Sequence, residues 1–254
     1  MTVGKITGVA PECKLVSYKV LDGKGGGDSD ARALIAALED IARVNGDGRV
    51  IRIHGVNLSL GYPYDPEWFA CGQSPLCEVV DRLVRSGVVV VAAAGNTGYV
   101  YAQTRLDGGP VWGQGADLSI NDPGNAELAI TVGSTHRESP HRYGVSYFSS
   151  KGPTGDGRPK PDLLAPGEKV LSCRARKASD TEERPPEYVE MSGTSMAAPH
   201  VAGAIASFLS IRNEFIGNSQ RVKEIFLASA TDLRRERYLQ GAGLVDLLRA
   251  LQTV

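Results

Sequence analysis

Apolar positions along the chain fall into two patterns that alternate. Short runs that are apolar throughout, or that alternate with polar residues, predict strands at Lys14 to Leu21, Val50 to Leu60, Gly87 to Ala94, Ala129 to Ser134 and Lys169 to Cys173. Between them, apolar residues recur at helical spacing. Asp30 to Val44 carries Leu34, Ile35, Leu38, Ile41 and Ala42 behind a glycine-rich loop, Asp22 to Ser29, in which Asp28 or Ser29 can cap the helix. Leu76 to Arg85 predicts a second helix, and the run from Met196 to about Arg212 is apolar nearly all round, as suits a helix buried in the interior. Gly87 to Ala94 has no polar face, which fits a strand covered on both sides. Strands alternating with helices predict an α/β fold, a mostly parallel sheet between helices. Neither an internal repeat nor a linker interrupts the pattern, so residues 1–254 read as one domain. The longest aperiodic stretch, Thr97 to Pro123, follows a strand end, where open parallel sheets bind ligands, and is expected to form a wall of a cleft.

Composition narrows this picture only slightly. The 254 residues are enough for a substantial core, and a formal net charge of −1 gives no general attraction to nucleic acid or to an acidic membrane surface. No stretch approaches 18 uninterrupted apolar residues, and Met1 to Ala10 lacks the layout of a signal peptide. Of the four cysteines, Cys71 and Cys77 bracket a short loop and are either a local disulfide or two free thiols. No Cys/His cluster has the spacing of a zinc site, and Asp117, Asn121 and Asp122 do not alternate as calcium ligands do.

Candidate chemistry concentrates in Ser192-Gly193-Thr194-Ser195-Met196-Ala197-Ala198-Pro199-His200-Val201-Ala202-Gly203. Ser195 stands at the start of the apolar helix, where free backbone N–H groups and the helix dipole favour negative charge. A serine there is either a helix cap or a nucleophile whose oxyanion the helix start would stabilise. Pro199 is expected in the first helical turn, where no intrahelical acceptor is lost. Val88 to Asn96 delivers a second polar group, Asn96, to the tip of a buried strand.

The twelve-residue string closely resembles the nucleophile segment of the subtilisin-like serine peptidases, the subtilases, and further segments resemble the family in the same order. They are Gly8-Val9-Ala10-Pro11, Asn57-Leu58-Ser59-Leu60-Gly61, Val88 to Asn96, Phe148 to Pro153, Lys160 to Gly167 and Gln240 to Asp246. The resemblance implies a three-layer subtilisin-like fold and serine endopeptidase activity. Ser195 would be the nucleophile, and Asn96 would stabilise the oxyanion together with the Ser195 N–H. The substrate would be a polypeptide in extended conformation, lying between Gly25, Gly26 and Gly27 on one side and Ser59, Leu60 and Gly61 on the other. Ala93, Ala94 and Gly95 would form the second wall of the specificity pocket, next to Thr194. Asp162 would be a structural carboxylate. No cofactor is implied beyond a structural calcium that cannot be assigned to residues, and secretion is common in the family.

The resemblance also implies an Asp-bearing strand end and a His-bearing helix start ahead of Gly8, and neither occurs in this sequence. His54 precedes a glycine but lies in a strand, His136 and His141 read as surface residues, and His200 is five residues along the helix from Ser195, off its face. The expectation is a peptidase domain without its N-terminal part, its Asp and His supplied by a further segment or a partner chain. The alternative is a peptide-binding pseudopeptidase. An α/β-hydrolase esterase is excluded by Ala197 in place of glycine and by the absence of an acid-then-histidine order after Ser195.

Overall fold

The computed structural model describes residues 7–21, 31–103, 111–175 and 188–254. In chain order its elements are α1 (Ala31–Val44), β1 (Gly55–Leu58), α2 (Pro75–Arg85), β2 (Val89–Ala93), β3 (Tyr99–Gln103) and β4 (Val111–Gly115). These are followed by β5 (Ile130–His136), α3 (Pro140–Tyr143), β6 (Leu163–Glu168), β7 (Val170–Cys173), β8 (Tyr188–Met191) and α4 (Thr194–Ile211). The chain closes with α5 (Ser219–Ser229), α6 (Arg237–Gln240) and α7 (Leu247–Gln252).

Four strands form a parallel sheet in the order β1-β2-β5-β6, with helices on both faces. Successive residues of β2 show why this strand has no polar side. Val89, Val91 and Ala93 face the cluster built by α4, α5 and α7, while Val90 and Ala92 face the one built by α1 and α2. On α4 the residues Ala197, Val201, Ala204, Ile205 and Phe208 press onto the sheet. Phe208 meets Phe226 of α5 edge to face at a centroid distance of 5.5 Å.

Several predicted strands are redrawn. Lys14 to Leu21 is extended but joins no ladder; Tyr18 and Val20 lean toward the α1 and α2 cluster, leaving Leu15 90% and Val16 65% exposed. Alternation identifies a chain that can pair, but pairing needs a neighbour, and among the described residues β1 bonds only to β2. Val50 to Leu60 shrinks to β1 because the buried Asn45 side chain takes the preceding backbone groups. Its Oδ1 accepts from Arg52 N at 3.0 Å and Ile53 N at 2.9 Å, and its Nδ2 donates to Ile53 O at 2.9 Å. Lys169 to Cys173 does become a strand, but β7 pairs antiparallel with β8 outside the main sheet. The fourth parallel strand is instead β6, at an edge where Pro166 is tolerated. Thr97 to Pro123 contains the antiparallel hairpin β3–β4.

All four cysteines are free thiols; Cys71 and Cys77 are buried, and burial pushes both thiols above their ordinary pKa. Asp162 sits beneath β5 and β6 as the centre of a buried ion cluster. Lys160, 2% exposed, donates to Asp162 Oδ2 at 2.5 Å, Thr131 Oγ1 at 2.8 Å and Ala129 O at 2.9 Å. Lys223 lies 3.2 Å from the other carboxylate oxygen, and Thr131 N–H donates to Oδ2 at 2.7 Å. Burial raises the Asp162 pKa, but the two lysines and these hydrogen bonds outweigh it and hold the carboxyl below its ordinary range. Burial acts the opposite way on Lys160, pushing it down to about 7 against the attraction of Asp162.

Candidate active site

The site lies where β1 and β2 end and α4 begins, at the carboxyl edge of the sheet, the usual place for ligands in such folds. Helix α4 starts at Thr194, so Ser195 is its second residue, and its N–H is one of the first-turn amides without an intrahelical acceptor. Pro199 therefore falls in the second turn rather than the first. Its missing N–H would have bonded to Ser195 O, and that carbonyl is taken instead by Ser59 Oγ at 2.8 Å. The loop after β1 is thereby tied to the start of α4.

Asn96 is held more tightly still. After β2, Ala94 N–H donates to Val132 O at 2.9 Å and Ala94 O accepts from Asn121 N at 2.9 Å. Gly95 O accepts from Ser150 N at 2.9 Å, and Gly95 N–H donates to Thr194 Oγ1 at 3.1 Å. Gly95 turns at φ +109°, and a methyl group there would meet Ser150 Oγ at 2.8 Å, so this bend requires glycine. Asn96 Oδ1 then accepts from Thr194 N–H at 2.9 Å and from Thr194 Oγ1 at 3.1 Å. A backbone N–H can only donate, so the amide oxygen faces Thr194 and the NH₂ group is turned the other way. Among the described residues neither Asn96 Nδ2 nor the Ser195 N–H has an acceptor. Both donors belong to residues that line one cleft with the partly exposed Ser195, and unpartnered donors of this kind can receive a developing negative charge.

A cleft of about 290 Å³ opens beside them. Leu60 and Gly61 from the loop after β1, Ala93, Gly95 and Asn96 from the end of β2, and Thr194 and Ser195 from the start of α4 line it. Three further lining residues, Leu21, Thr97 and Asn121, are ones that sequence reasoning missed. The signal for Thr97 and Asn121 was their place at the two ends of the aperiodic stretch expected to wall a cleft. Ser59 contributes through its bond to Ser195 O, and Ala94 through its backbone pairing, rather than by lining the cleft. Gly25, Gly26 and Gly27 lie outside the described residues, as do the helix-capping candidates Asp28 and Ser29.

None of the four histidines faces Ser195 Oγ. His54 is exposed just before β1, with its carbonyl accepting from Val89 N at 3.0 Å. His136 lies against Tyr143 at 4.7 Å, and its Nδ1 accepts from Glu138 N and Ser139 N, each at 3.2 Å. His141 is exposed on α3, and His200 Nδ1 bonds within α4 to Met196 O at 2.8 Å. No carboxylate lines the cleft among the described residues.

Comparison with known proteins gives this geometry a context. The Subtilase family (Peptidase S8) sequence model matches residues 2–244. Serine protease AprX of Bacillus subtilis (strain 168) is 33% identical over 256 residues, spanning 96% of this chain and 52% of that protein. Subtilisin DY of Bacillus licheniformis is 32% identical over 247 residues, spanning 97% of this chain and 71% of that protein. The chain thus covers about half of the first relative's length. Among solved structures, the prenylagaramide maturation protease PagA aligns with a TM-score of 0.69 at 23% identity, over 97% of this chain and 76% of that one. A lanthipeptide protease aligns with a TM-score of 0.68 at 23% identity, over 96% of this chain and 72% of that one.

Proposed function

Because the chain belongs to the subtilase family of serine proteases, we propose that it carries the nucleophile and oxyanion half of a serine endopeptidase site acting on extended polypeptide. The observation that carries this reading is the orientation of Asn96. Thr194 takes its oxygen, which leaves its NH₂ group without an acceptor among the described residues, and Asn96 and Ser195 line the same cleft. Ser195 Oγ attacks the scissile carbonyl carbon and loses its proton to a base. The carbonyl oxygen becomes an oxyanion bonded by Asn96 Nδ2 and the Ser195 N–H. Collapse of this intermediate breaks the C–N bond as the base returns the proton to the leaving amine. Water then hydrolyses the acyl-serine by the same steps.

The base itself is not among the four histidines of this sequence. The reading is that an imidazole and its orienting carboxylate reach Ser195 from a further segment or a partner chain. The edge of β1 that no described strand pairs with is where an added strand would join. A specific observation also favours a second reading: with no imidazole or carboxylate at the cleft, the chain could hold peptides without cleaving them.

Reaction with a fluorophosphonate, which modifies an activated serine, separates the two. Label mapping to Ser195, lost in Ser195→Ala, supports the peptidase. A folded protein that binds extended peptides and stays unlabelled supports the binding module.

A further inference from the structure

The hairpin β3–β4 stands outside the main sheet, and among the described residues its strands pair only with each other. Tyr99 and Tyr101 share one of its faces, where the register sets Gly115 and Gly113 opposite them. A methyl group on Gly113 would collide with the Tyr99 ring, so that ring lies directly on bare backbone. Tyr101 meets Tyr99 edge to face at a centroid distance of 5.4 Å, and Tyr99 meets Tyr147 in the same way at 5.9 Å. Edge-to-face contact is the arrangement that ring quadrupoles favour, so the row keeps its shape with no partner. Its two outer rings are nonetheless open to solvent, Tyr101 being 73% and Tyr147 68% exposed.

The row begins at the cleft. Thr97 lines the cleft, and Tyr99 is the second residue beyond it. An extended chain advances about 3.3–3.6 Å per residue, so Tyr99 lies within about 7 Å of Thr97 and Tyr101 within about 14 Å. That is the reach of two to four residues of extended peptide. The base between cleft and row is fixed. Gly98 N–H donates to Phe148 O at 2.9 Å, Gly98 O accepts from Ala116 N at 3.0 Å, and a methyl group on Gly98 would collide with Ser149 O. Thr97 N–H donates to Ser150 Oγ at 3.1 Å, which joins the cleft to the loop that carries Tyr147.

We propose that Tyr99, Tyr101 and Tyr147 form an exosite that grips aromatic side chains of a polypeptide, two to four residues beyond those seated beside Ser195. This rests on the reading of Ser195 and its cleft as a peptide site. Tyrosine suits such a surface, since its two side-chain torsions cost little entropy to fix and these rings already hold one another. An aromatic side chain docked on the row withdraws apolar area of both partners from water and adds ring contacts. A small polar side chain gains neither. Continuity with the cleft selects the occupant. A chain held at Ser195 is brought to the row by its own length, so the second contact is intramolecular and strengthens the first.

Binding by the full chain tests this without catalysis. Decapeptides of alanine and serine, with three phenylalanines toward the N-terminal end, toward the C-terminal end or absent, are titrated while amide chemical shifts are followed, which also report folding. One phenylalanine peptide is expected to bind about tenfold more tightly than the peptide without rings, the worth of two ring contacts, and to shift amides of both cleft and hairpin. Tyr101→Ser combined with Tyr147→Ser is expected to abolish that advantage and leave binding of the ring-free peptide unchanged. Trp112→Ser, on the opposite face of the hairpin, is expected to change neither. Equal affinities for the native protein, an advantage that survives the double variant, or one lost in Trp112→Ser overturns the exosite and leaves the peptide site standing, because the cleft amides still shift. Hairpin shifts that grow with protein concentration in the absence of peptide would mean that a second copy occupies the row, and overturn the exosite likewise. A folded native protein whose cleft amides respond to none of the three peptides overturns both.

Discussion

The two flanks of Ser195 are finished to different degrees. On one, β2, β5 and the start of α4 lock together: Ala94 and Gly95 are bonded to Val132, Asn121, Ser150 and Thr194, and Asn96 is oriented by two bonds to Thr194. On the other, among the described residues, β1 has an unpaired edge, the extended run Lys14 to Leu21 joins no ladder, and Leu15 and Val16 lie open to solvent. The closed flank presents donors for negative charge, while among the described residues neither flank brings an imidazole or a carboxylate to the cleft lining. Electrostatic stabilisation and proton transfer can thus be carried by separable parts of a fold. The first needs fixed backbone dipoles, which a packed sheet supplies, and the second needs only one group brought within reach.

The largest effect expected on the closed flank lies beneath it, at the ion cluster. Asp162→Ala leaves Lys160 buried without its carboxylate and should cost about 3–5 kcal/mol of stability, read from denaturant midpoints at constant slope. The native cluster should also set an acid limit. Asp162 is held below its ordinary pKa of 3.8 in the fold, so its contribution is complete above that value and is lost as pH falls through the lowered one. Thermal melts between pH 5 and pH 2 should fall less steeply in Asp162→Asn than in the native protein. Equal slopes would mean the carboxylate is not the group being titrated.

Next in size is Asn96→Ala. Removing one oxyanion donor typically costs about 10²–10³ in rate. With imidazole in the buffer as a freely diffusing base, fluorophosphonate labelling of Ser195 should slow by that order, and the melting point should also fall, because the buried Thr194 N–H loses its acceptor at a cost of about 1–3 kcal/mol. A loss of less than about threefold would place the oxyanion elsewhere.

The contrast between flanks also explains what could be read in the sequence. Gly87 to Asn96 and the helix after Ser195 were legible because residues buried on both sides leave unbroken apolar runs, and such runs do not depend on what packs against them. Lys14 to Leu21 has an equally good pattern, yet strand pairing is a property of two segments and only one is written in the pattern. The β3–β4 hairpin was hidden by its many glycines, although Tyr99 and Tyr101 alternate. Pro199 was placed one turn too early, since the helix start depends on Thr194 being captured by Asn96, 98 positions away. Asn121 carried no signal beyond its place near one end of the aperiodic stretch. It becomes a cleft residue only because Gly61 and Gly95 close on it from two different strand ends.

Ser59→Ala tests the bond that joins the loop after β1 to the start of α4. Its hydroxyl satisfies the carbonyl that Pro199 leaves open, so removing it should cost about 1 kcal/mol, the ordinary worth of one such bond. Labelling of Ser195 should also slow severalfold as the start of α4 loosens. A stability loss with an unchanged labelling rate would show that the bond holds the fold and not the nucleophile.

The smallest effect is expected on the open flank, and it is the sharpest test of the comparison. Leu15→Ser and Val16→Ser remove apolar side chains that are already in water, so each should change the stability of this chain by less than about 0.5 kcal/mol. Aggregation should fall in both variants, because exposed apolar side chains on an extended, unpaired run invite association between copies. If a further segment or partner chain pairs along β1 and covers this run, the same substitutions should weaken that association while leaving the isolated chain untouched. A large stability loss in the isolated chain would mean that Leu15 and Val16 are already packed in solution, and the open flank would then be closed by this chain's own residues.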